Sequence, residues 1–206
     1  MISISNFKQV PDWPTYGFMY GENILESRLF DTLNKFNFAN CPITDPTFPK
    51  RKALSCESAA LIDAGLGNAL TMLRAHANDF SIIEQLITNS LVDSDMPIHR
   101  FWTHGLESIK KLHKNVYIQF VEDEPGVTMA PHADHREVLC NMQIYISPDE
   151  PSIGTTFHQA GDYTVSKTVP FRPNCGYFSF NTHLSIHSLK YTTTNKRRSI
   201  ILSWTM

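Results

Sequence analysis

Two kinds of metal-binding side chain lie close together near the middle of the chain, in the stretch MAPHADHREVLCNMQIYIS. His132 and Asp134 form an H-x-D pair, and on an extended segment residues i and i+2 point to the same side. An imidazole and a carboxylate could therefore bind one metal ion together. His135 and Glu137 form a second pair of this type on the opposite strand face, so the two pairs compete for the role of metal site.

A histidine further along the chain strengthens the metal hypothesis. With His132 and Asp134, His187 completes a set of two histidines and one carboxylate, which leaves coordination positions open and suits non-haem Fe(II). Ten residues separate His187 from Arg198, on the next predicted strand. A guanidinium at that distance could hold the far carboxylate of a metal-chelating diacid through two parallel hydrogen bonds.

Strand parity decides between Arg198 and its neighbour Arg197. Arg198 alternates in phase with Ile200, Leu202 and Trp204. This apolar face is expected to point into a barrel, where the arginine would meet its anionic partner. Arg197 is therefore expected to face solvent or the substrate entrance.

The ordered set of H-x-D, His and Arg resembles that of the Fe(II)- and 2-oxoglutarate-dependent oxygenases, and it is most similar to the prolyl-4-hydroxylase-like group. Gly126 precedes His132 by six residues and Trp204 follows Arg198 by six, as is common in that family. The segment QIYIS is similar to the family's YLN strand, and VPFRPNCGYFSFN to its P-x-x-G-x-x-x-x-F strand pair. The resemblance covers about residues 115–206, and it favours His132 over His135.

The resemblance implies a mechanism as well as a fold. His132, Asp134 and His187 would hold Fe(II), and 2-oxoglutarate would chelate the iron and place its far carboxylate on Arg198. Reaction with O2 would yield succinate, carbon dioxide and an oxidised substrate, with ascorbate as an optional reductant. Asp134 occupies a position that a halide takes in the halogenating relatives, so the implied reaction is hydroxylation.

Two residues on the strand after the H-x-D pair are further candidates for co-substrate binding. Many relatives have a tyrosine before the Pro-Gly turn, where this chain reads VEDEPG. Tyr145 could supply the missing hydroxyl, since it corresponds to the YLN tyrosine and shares a polar face with Asn141 and Gln143. The alternative is an ordinary strand tyrosine. Asn141 is predicted to bind the cofactor from the same face.

The elements that position these residues differ between the two halves of the chain. The first half has apolar residues at helical spacing, and Ser81 with Glu84 has the spacing of a capping box. Three helices are predicted there, at residues 22–36, 57–77 and 81–92.

From about residue 115 the apolar period changes to two, which predicts strands. They are NVYIQFVE, VLCNMQIYI, YTVSKTV, CGYFSFN and RSIILSW. We therefore predict one mainly β domain over residues 1–206, with a double-stranded β-helix (jelly-roll) core at about 115–206. A helical buttress and entrance would occupy about 1–110.

Composition limits the class of protein. A chain of 206 residues with 42% hydrophobic residues can bury one substantial core. The net charge of −2 argues against a nucleic-acid partner. The four cysteines form no C-x-x-C pair, and the chain shows neither a signal-peptide pattern nor an 18-residue apolar run, so we expect a cytoplasmic protein without membrane contact.

Other functions remain open from the sequence alone. A cupin-like metalloenzyme would not use 2-oxoglutarate and would not need Arg198. A non-catalytic β-sandwich binding module would hold no stoichiometric iron. For an oxygenase, the first substrate expected is a peptidyl residue such as proline, and a free amino acid or small metabolite is the alternative.

Overall fold

The alternating apolar pattern of the second half produces strands, as the computed structural model of the chain shows. The structure describes residues 1–10, 13–14, 18–39, 41, 49–91, 115–182, 184–190 and 194–205. The strands are β1 (Phe7–Gln9), β2 (Met19–Glu22), β3 (Arg51–Ser55), β4 (Asn115–Asp123), β5 (Thr128–His132), β6 (Val138–Ser147), β7 (Thr156–Gln159), β8 (Asp162–Thr168), β9 (Cys175–Phe180), β10 (His187–Lys190) and β11 (Arg197–Thr205). The α-helices are α1 (Ser27–Asn34), α2 (Ala59–Leu61), α3 (Gly67–Ala77) and α4 (Phe80–Leu91).

The strands form two antiparallel sheets. A seven-stranded sheet has the order β1-β2-β9-β6-β11-β4-β3, and a four-stranded sheet has the order β5-β10-β7-β8. This arrangement confirms the predicted jelly-roll core. The first half is not purely helical, however, because β1, β2 and β3 extend both edges of the larger sheet.

Both faces of the larger sheet are buried, each against a different layer. One face packs on the helices, and Ile200, Leu202 and Trp204 of β11 belong to this cluster with Leu70 and Leu73 of α3. The other face turns toward the smaller sheet. An aromatic cluster fills one end of the space between the sheets, with Tyr145, Phe157, Phe171 and Tyr177 among its members. An apolar face of a strand in this sheet therefore does not by itself identify the barrel interior.

The helices agree with the predicted segments but differ at their ends. Helix α1 starts at Ser27, later than predicted, because Glu22 belongs to strand β2 and Leu25 forms a β-bridge with Ile2. The predicted helix over 57–77 is broken by a π-helical turn, Ile62–Leu66, in which Gly65 has a φ of 77°. The predicted cap Ser81 lies inside α4, and Asp79 takes that role by accepting a hydrogen bond from the Ser81 backbone N–H at 3.0 Å. Residue 92 of the third predicted helix lies outside the described residues.

None of the described helices combines the length and the apolar character that are needed to cross a membrane.

Helix α3 is fastened to the sheet by Trp204, whose Nε1 donates a hydrogen bond to the Ala77 carbonyl at 3.0 Å. The four cysteines, all within the described residues, are unpaired thiols.

Candidate active site

Three side chains of the smaller sheet converge at one end of the space between the sheets. His132 ends β5 and His187 begins β10, and the two residues are directly opposite each other in the antiparallel register. Asp134 follows in the loop after β5. One ligand atom from each of the three lies within 4.8 Å of the others, and His187 Nε2 is 3.7 Å from Asp134 Oδ1.

The hydrogen bonds of both imidazoles direct the same nitrogen to the centre. His132 Nδ1 lies 2.8 Å from the Ala130 carbonyl oxygen, and His187 Nδ1 lies 3.1 Å from the Ser185 carbonyl oxygen. A carbonyl only accepts, so each Nδ1 carries the proton and each Nε2 lone pair is available to a metal. Burial lowers the pKa of His187, against the opposing effect of Asp134, and so favours the neutral imidazole that binds metals.

The donor set fits one divalent ion of the first transition series. Ligand atoms at about 2.0–2.2 Å from such an ion lie about 3 Å apart on one face, so the three side chains need to close by about an ångström or two. Among the described residues, His132, Asp134 and His187 form the one cluster of this kind. The competing pair, His135 and Glu137, is exposed in the turn that follows.

The two arginines of β11 have the reverse of the expected orientation. Arg198 lies on the helix-facing side of the sheet, where its Nε donates to Glu122 Oε2 at 2.8 Å and its Nη1 to the Phe36 carbonyl at 3.4 Å. Arg197 faces the space between the sheets and is only 1% exposed. The parity argument was wrong because Ile200 and its neighbours are buried under helices and not inside the barrel.

Two hydrogen bonds hold the Arg197 guanidinium and leave one of its nitrogens without a partner among the described residues. Nη1 donates to Asp123 Oδ2 at 2.9 Å, and Nη2 is 3.3 Å from Thr155 Oγ1. Nε is buried and has no hydrogen-bond partner among the described residues. The guanidinium carbon is 5.6 Å from the centre of the Tyr145 ring and 5.1 Å from that of Phe171. A buried N–H without an acceptor is costly, so Nε is a donor that a carboxylate could satisfy.

One cavity joins the arginine to the three converging side chains. It has a volume of about 710 Å³, and its wall includes His132, Asp134, His187 and Arg197. Further buried polar groups line the same end, namely Gln143, Thr155 and Tyr177. The hydroxyls of Thr155 and Tyr177 donate to Gln143 Oε1 at 2.9 and 3.0 Å. Burial raises the pKa of Tyr177, so this hydroxyl stays a neutral hydrogen-bond donor.

Tyr145 and Asn141, the two other predicted cofactor residues, lie on the expected face of β6 in different roles. The Tyr145 hydroxyl is fully buried and accepts a hydrogen bond from the Thr155 backbone N–H at 3.1 Å. The Tyr145 ring stacks on Phe171 with 4.1 Å between centroids. Tyr145 thus supports Thr155 from behind the cavity wall. Asn141 lines the cavity, but its amide is bonded to Asp134.

Sequence reasoning missed three residues that line this end of the cavity and one, Asp123, that holds the arginine from behind. Arg197 was assigned to the wrong face, and Thr155, Tyr177 and Asp123 were not singled out. Tyr177 could have been found, since it alternates along β9 within a segment already matched to the family. Asp123 and Thr155 become recognisable only when β4, β11 and the loop before β7 are brought together.

Comparisons with known proteins agree with this architecture. No family model and no curated protein matches the sequence. Among solved structures, a prolyl-4-hydroxylase of Pseudomonas putida is similar, with a TM-score of 0.57, 16% identity and coverage of 95% of each chain. HygX of Streptomyces hygroscopicus, crystallised with nickel and 2-oxoglutarate, gives a TM-score of 0.56 at 11% identity, over 93% of this chain and 83% of that one.

A third similar structure is a prolyl hydroxylase from Trichoplax adhaerens, in complex with a hypoxia inducible factor peptide. It gives a TM-score of 0.57 at 12% identity, covering 93% of this chain and 84% of that one. At these identities the comparison establishes the fold. The chain therefore has the double-stranded β-helix fold of the 2-oxoglutarate-dependent oxygenases.

Proposed function

We propose that the chain is an Fe(II)- and 2-oxoglutarate-dependent dioxygenase that hydroxylates a C–H bond of its substrate. The observation that carries this proposal is a cavity that joins a two-histidine, one-carboxylate cluster to a buried arginine, whose Nε has no hydrogen-bond partner among the described residues. The fold of the similar structures supports it. Bound iron would supply the activation of O2 and the oxidative decarboxylation of 2-oxoglutarate to succinate and carbon dioxide.

In this proposal His132, Asp134 and His187 hold the iron through two Nε2 atoms and one carboxylate oxygen. The hydrogen bonds from the two imidazole Nδ1 atoms to the Ala130 and Ser185 carbonyls fix both rings in the metal-binding tautomer. The three residues would occupy one side of the ion and would leave positions for the co-substrate and for O2.

Arg197 is proposed to bind the distal carboxylate of 2-oxoglutarate at its Nε/Nη2 edge. Thr155 and Tyr177 can turn their hydroxyls from Gln143 to the same carboxylate. Asp123 and the rings of Tyr145 and Phe171 hold the guanidinium in place, so little order has to be gained when the co-substrate binds. An unpaired carboxylate in this buried site would be costly, and the arginine removes that cost.

The substrate is proposed to occupy the outer part of the cavity. Ser55, Tyr117 and Gln119 line this part, and Arg51 of the same wall is already paired with Asp123 at 2.6 Å. Arg74 and Glu57 in this wall form an ion pair and neutralise each other, with Arg74 Nη1 2.6 Å from Glu57 Oε1. This wall therefore suits a segment that offers hydrogen bonds without net charge. A peptidyl residue such as proline meets that description, and a small polar metabolite is the alternative.

The two other functions considered from the sequence have less support. A cupin-like metalloenzyme would have no use for a buried arginine with an unpartnered Nε. A non-catalytic sandwich would have no use for three converging ligands. The unpaired thiols fit our further proposal of a reducing, cytoplasmic location.

Binding measurements with Mn(II), which replaces Fe(II) without reacting with O2, test this function. We expect one Mn(II) per chain, and we expect 2-oxoglutarate to bind strongly only when the metal is present. His187→Ala should lose both. A protein that binds Mn(II) at this site but never binds 2-oxoglutarate would support the cupin-like enzyme. No Mn(II) binding at all would support the binding module.

A further inference from the structure

A chain of hydrogen bonds reaches the candidate metal ligand Asp134 from the centre of the larger sheet. Ser203 Oγ donates to Asn141 Oδ1 at 2.6 Å, and Asn141 Nδ2 donates to Asp134 Oδ2 at 2.5 Å. Ser203 and Asn141 are directly paired across β11 and β6. Asn141 is 8% exposed, so water does not readily replace these bonds.

The chemistry of the partners fixes the direction of each bond. An ionised carboxylate only accepts, so the amide nitrogen of Asn141 must face Asp134. The amide oxygen then faces Ser203, whose hydroxyl can donate to it. With both ends of the amide engaged, Asn141 cannot flip without losing two hydrogen bonds.

The consequence falls on the two carboxylate oxygens of Asp134. Oδ2 is occupied by Asn141, whereas Oδ1 is the oxygen that faces His187 Nε2, at 3.7 Å. A carboxylate held in this way presents Oδ1 to the centre and keeps Oδ2 turned to Asn141. A carboxylate that bound through both oxygens would take one of the positions that 2-oxoglutarate and O2 need.

The backbone of the same loop is held by a second asparagine. Asn181 Nδ2 lies within hydrogen-bond distance of three carbonyl oxygens, those of Asp134 (3.3 Å), His135 (2.8 Å) and Val138 (2.9 Å). Asn181 thus fixes where the loop runs, and Asn141 fixes which carboxylate oxygen points to the centre.

We infer that Asn141, supported by Ser203, is a positioning residue that holds Asp134 as a ligand through one oxygen and keeps a coordination position open. This inference rests on the proposed function. It gives Asn141 a different role from the co-substrate contact expected from the sequence, because its amide is already engaged at both ends.

Mn(II) bound to the protein provides the test. Electron paramagnetic resonance measures its affinity, and water-proton relaxation counts the water molecules on the bound ion. For Asn141→Ala we expect about 10- to 100-fold weaker Mn(II) binding, the usual effect of losing such a partner, and one fewer bound water. For Ser203→Ala we expect changes in the same direction and smaller.

Asn174→Ala is the matched control. Asn174 is also 8% exposed and bonds the Leu25 backbone N–H and C=O, both at 2.8 Å, far along the sheet from Asp134. This variant should lower the thermal unfolding temperature and leave Mn(II) affinity and water count unchanged. A role for Asn141 in stability alone would make the two variants behave alike.

If Asn141→Ala binds Mn(II) as tightly as wild type, with the same number of bound waters, the inference is wrong. The proposed function would be unaffected by that result. If Asn141→Ala does not fold, Ser203→Ala decides, because it removes only a hydroxyl. If wild-type protein binds no Mn(II) that depends on His187, both the proposed function and this inference are wrong.

Discussion

Substitutions at Arg197 and Arg198 separate a co-substrate contact from a structural ion pair. Arg197→Ala removes the guanidinium that we propose for the distal carboxylate of 2-oxoglutarate. Leaving one partner of a buried charge pair alone costs about 2–5 kcal/mol. At about 1.4 kcal/mol per tenfold change, this predicts about 30- to 4,000-fold weaker binding of 2-oxoglutarate to the Mn(II)-loaded protein. Titration calorimetry measures this affinity directly.

The same substitution should leave the protein folded. Breaking a buried ion pair costs about 3–5 kcal/mol when the remaining charge has no other partner. Asp123 keeps Arg51, whose Nε and Nη2 donate to its two oxygens at 2.6 and 3.0 Å. The loss in free energy of unfolding should therefore lie below that range. Arg197→Lys keeps the charge but not the planar fork, so it should bind 2-oxoglutarate with intermediate affinity.

Arg198→Ala is the control for this prediction. Glu122 keeps Lys196, at 3.2 Å, when Arg198 is removed. We expect 2-oxoglutarate affinity within about twofold of wild type, since Arg198 lies on the other face of the sheet and does not line the cavity. Unchanged affinity in Arg197→Ala, or a large loss in Arg198→Ala, would refute the assignment of the co-substrate end of the cavity.

Three further predictions test the fold and the metal cluster. Gly154→Ala should destabilise the protein by about 1–3 kcal/mol, because its Cβ would lie 1.6 Å from the Val169 carbonyl oxygen, whereas Gly67→Ala, with no atom closer than 4.0 Å, should stabilise it slightly; urea unfolding compares the two. Trp204→Phe should cost about 1–3 kcal/mol by leaving the Ala77 carbonyl without its donor, with 2-oxoglutarate affinity unchanged in calorimetry. His132→Ala should abolish Mn(II) binding and His135→Ala should not, and the opposite result would favour the pair His135 and Glu137.

The sequence was sufficient for the fold class and for the positions of the long strands. The change of apolar period located β4, β6, β8, β9 and β11 to within a residue or two. The short strands β5, β7 and β10 have four or five residues each, too few for a periodic pattern. The strands β1 to β3 were missed because they too are short, and β2 and β3 pair with the distant strands β9 and β4.

The candidate metal cluster was also predictable, because its residues have distinctive chemistry and spacing. The arginine that lines the cavity, Arg197, was not predictable. Strand parity shows which residues share a face, but not which layer covers that face. In this chain helices bury one face of β11 and the smaller sheet covers the other. Only the partners of each arginine, Asp123 for Arg197 and Glu122 for Arg198, distinguish the two.

The most direct test of the proposed active site is a crystal structure with Mn(II) and 2-oxoglutarate, with the metal located by its anomalous scattering. We predict one ion at about 2.0–2.2 Å from His132 Nε2, His187 Nε2 and Asp134 Oδ1, chelated by 2-oxoglutarate with its distal carboxylate on Arg197. An anomalous peak elsewhere, or a co-substrate carboxylate away from Arg197, would contradict the account.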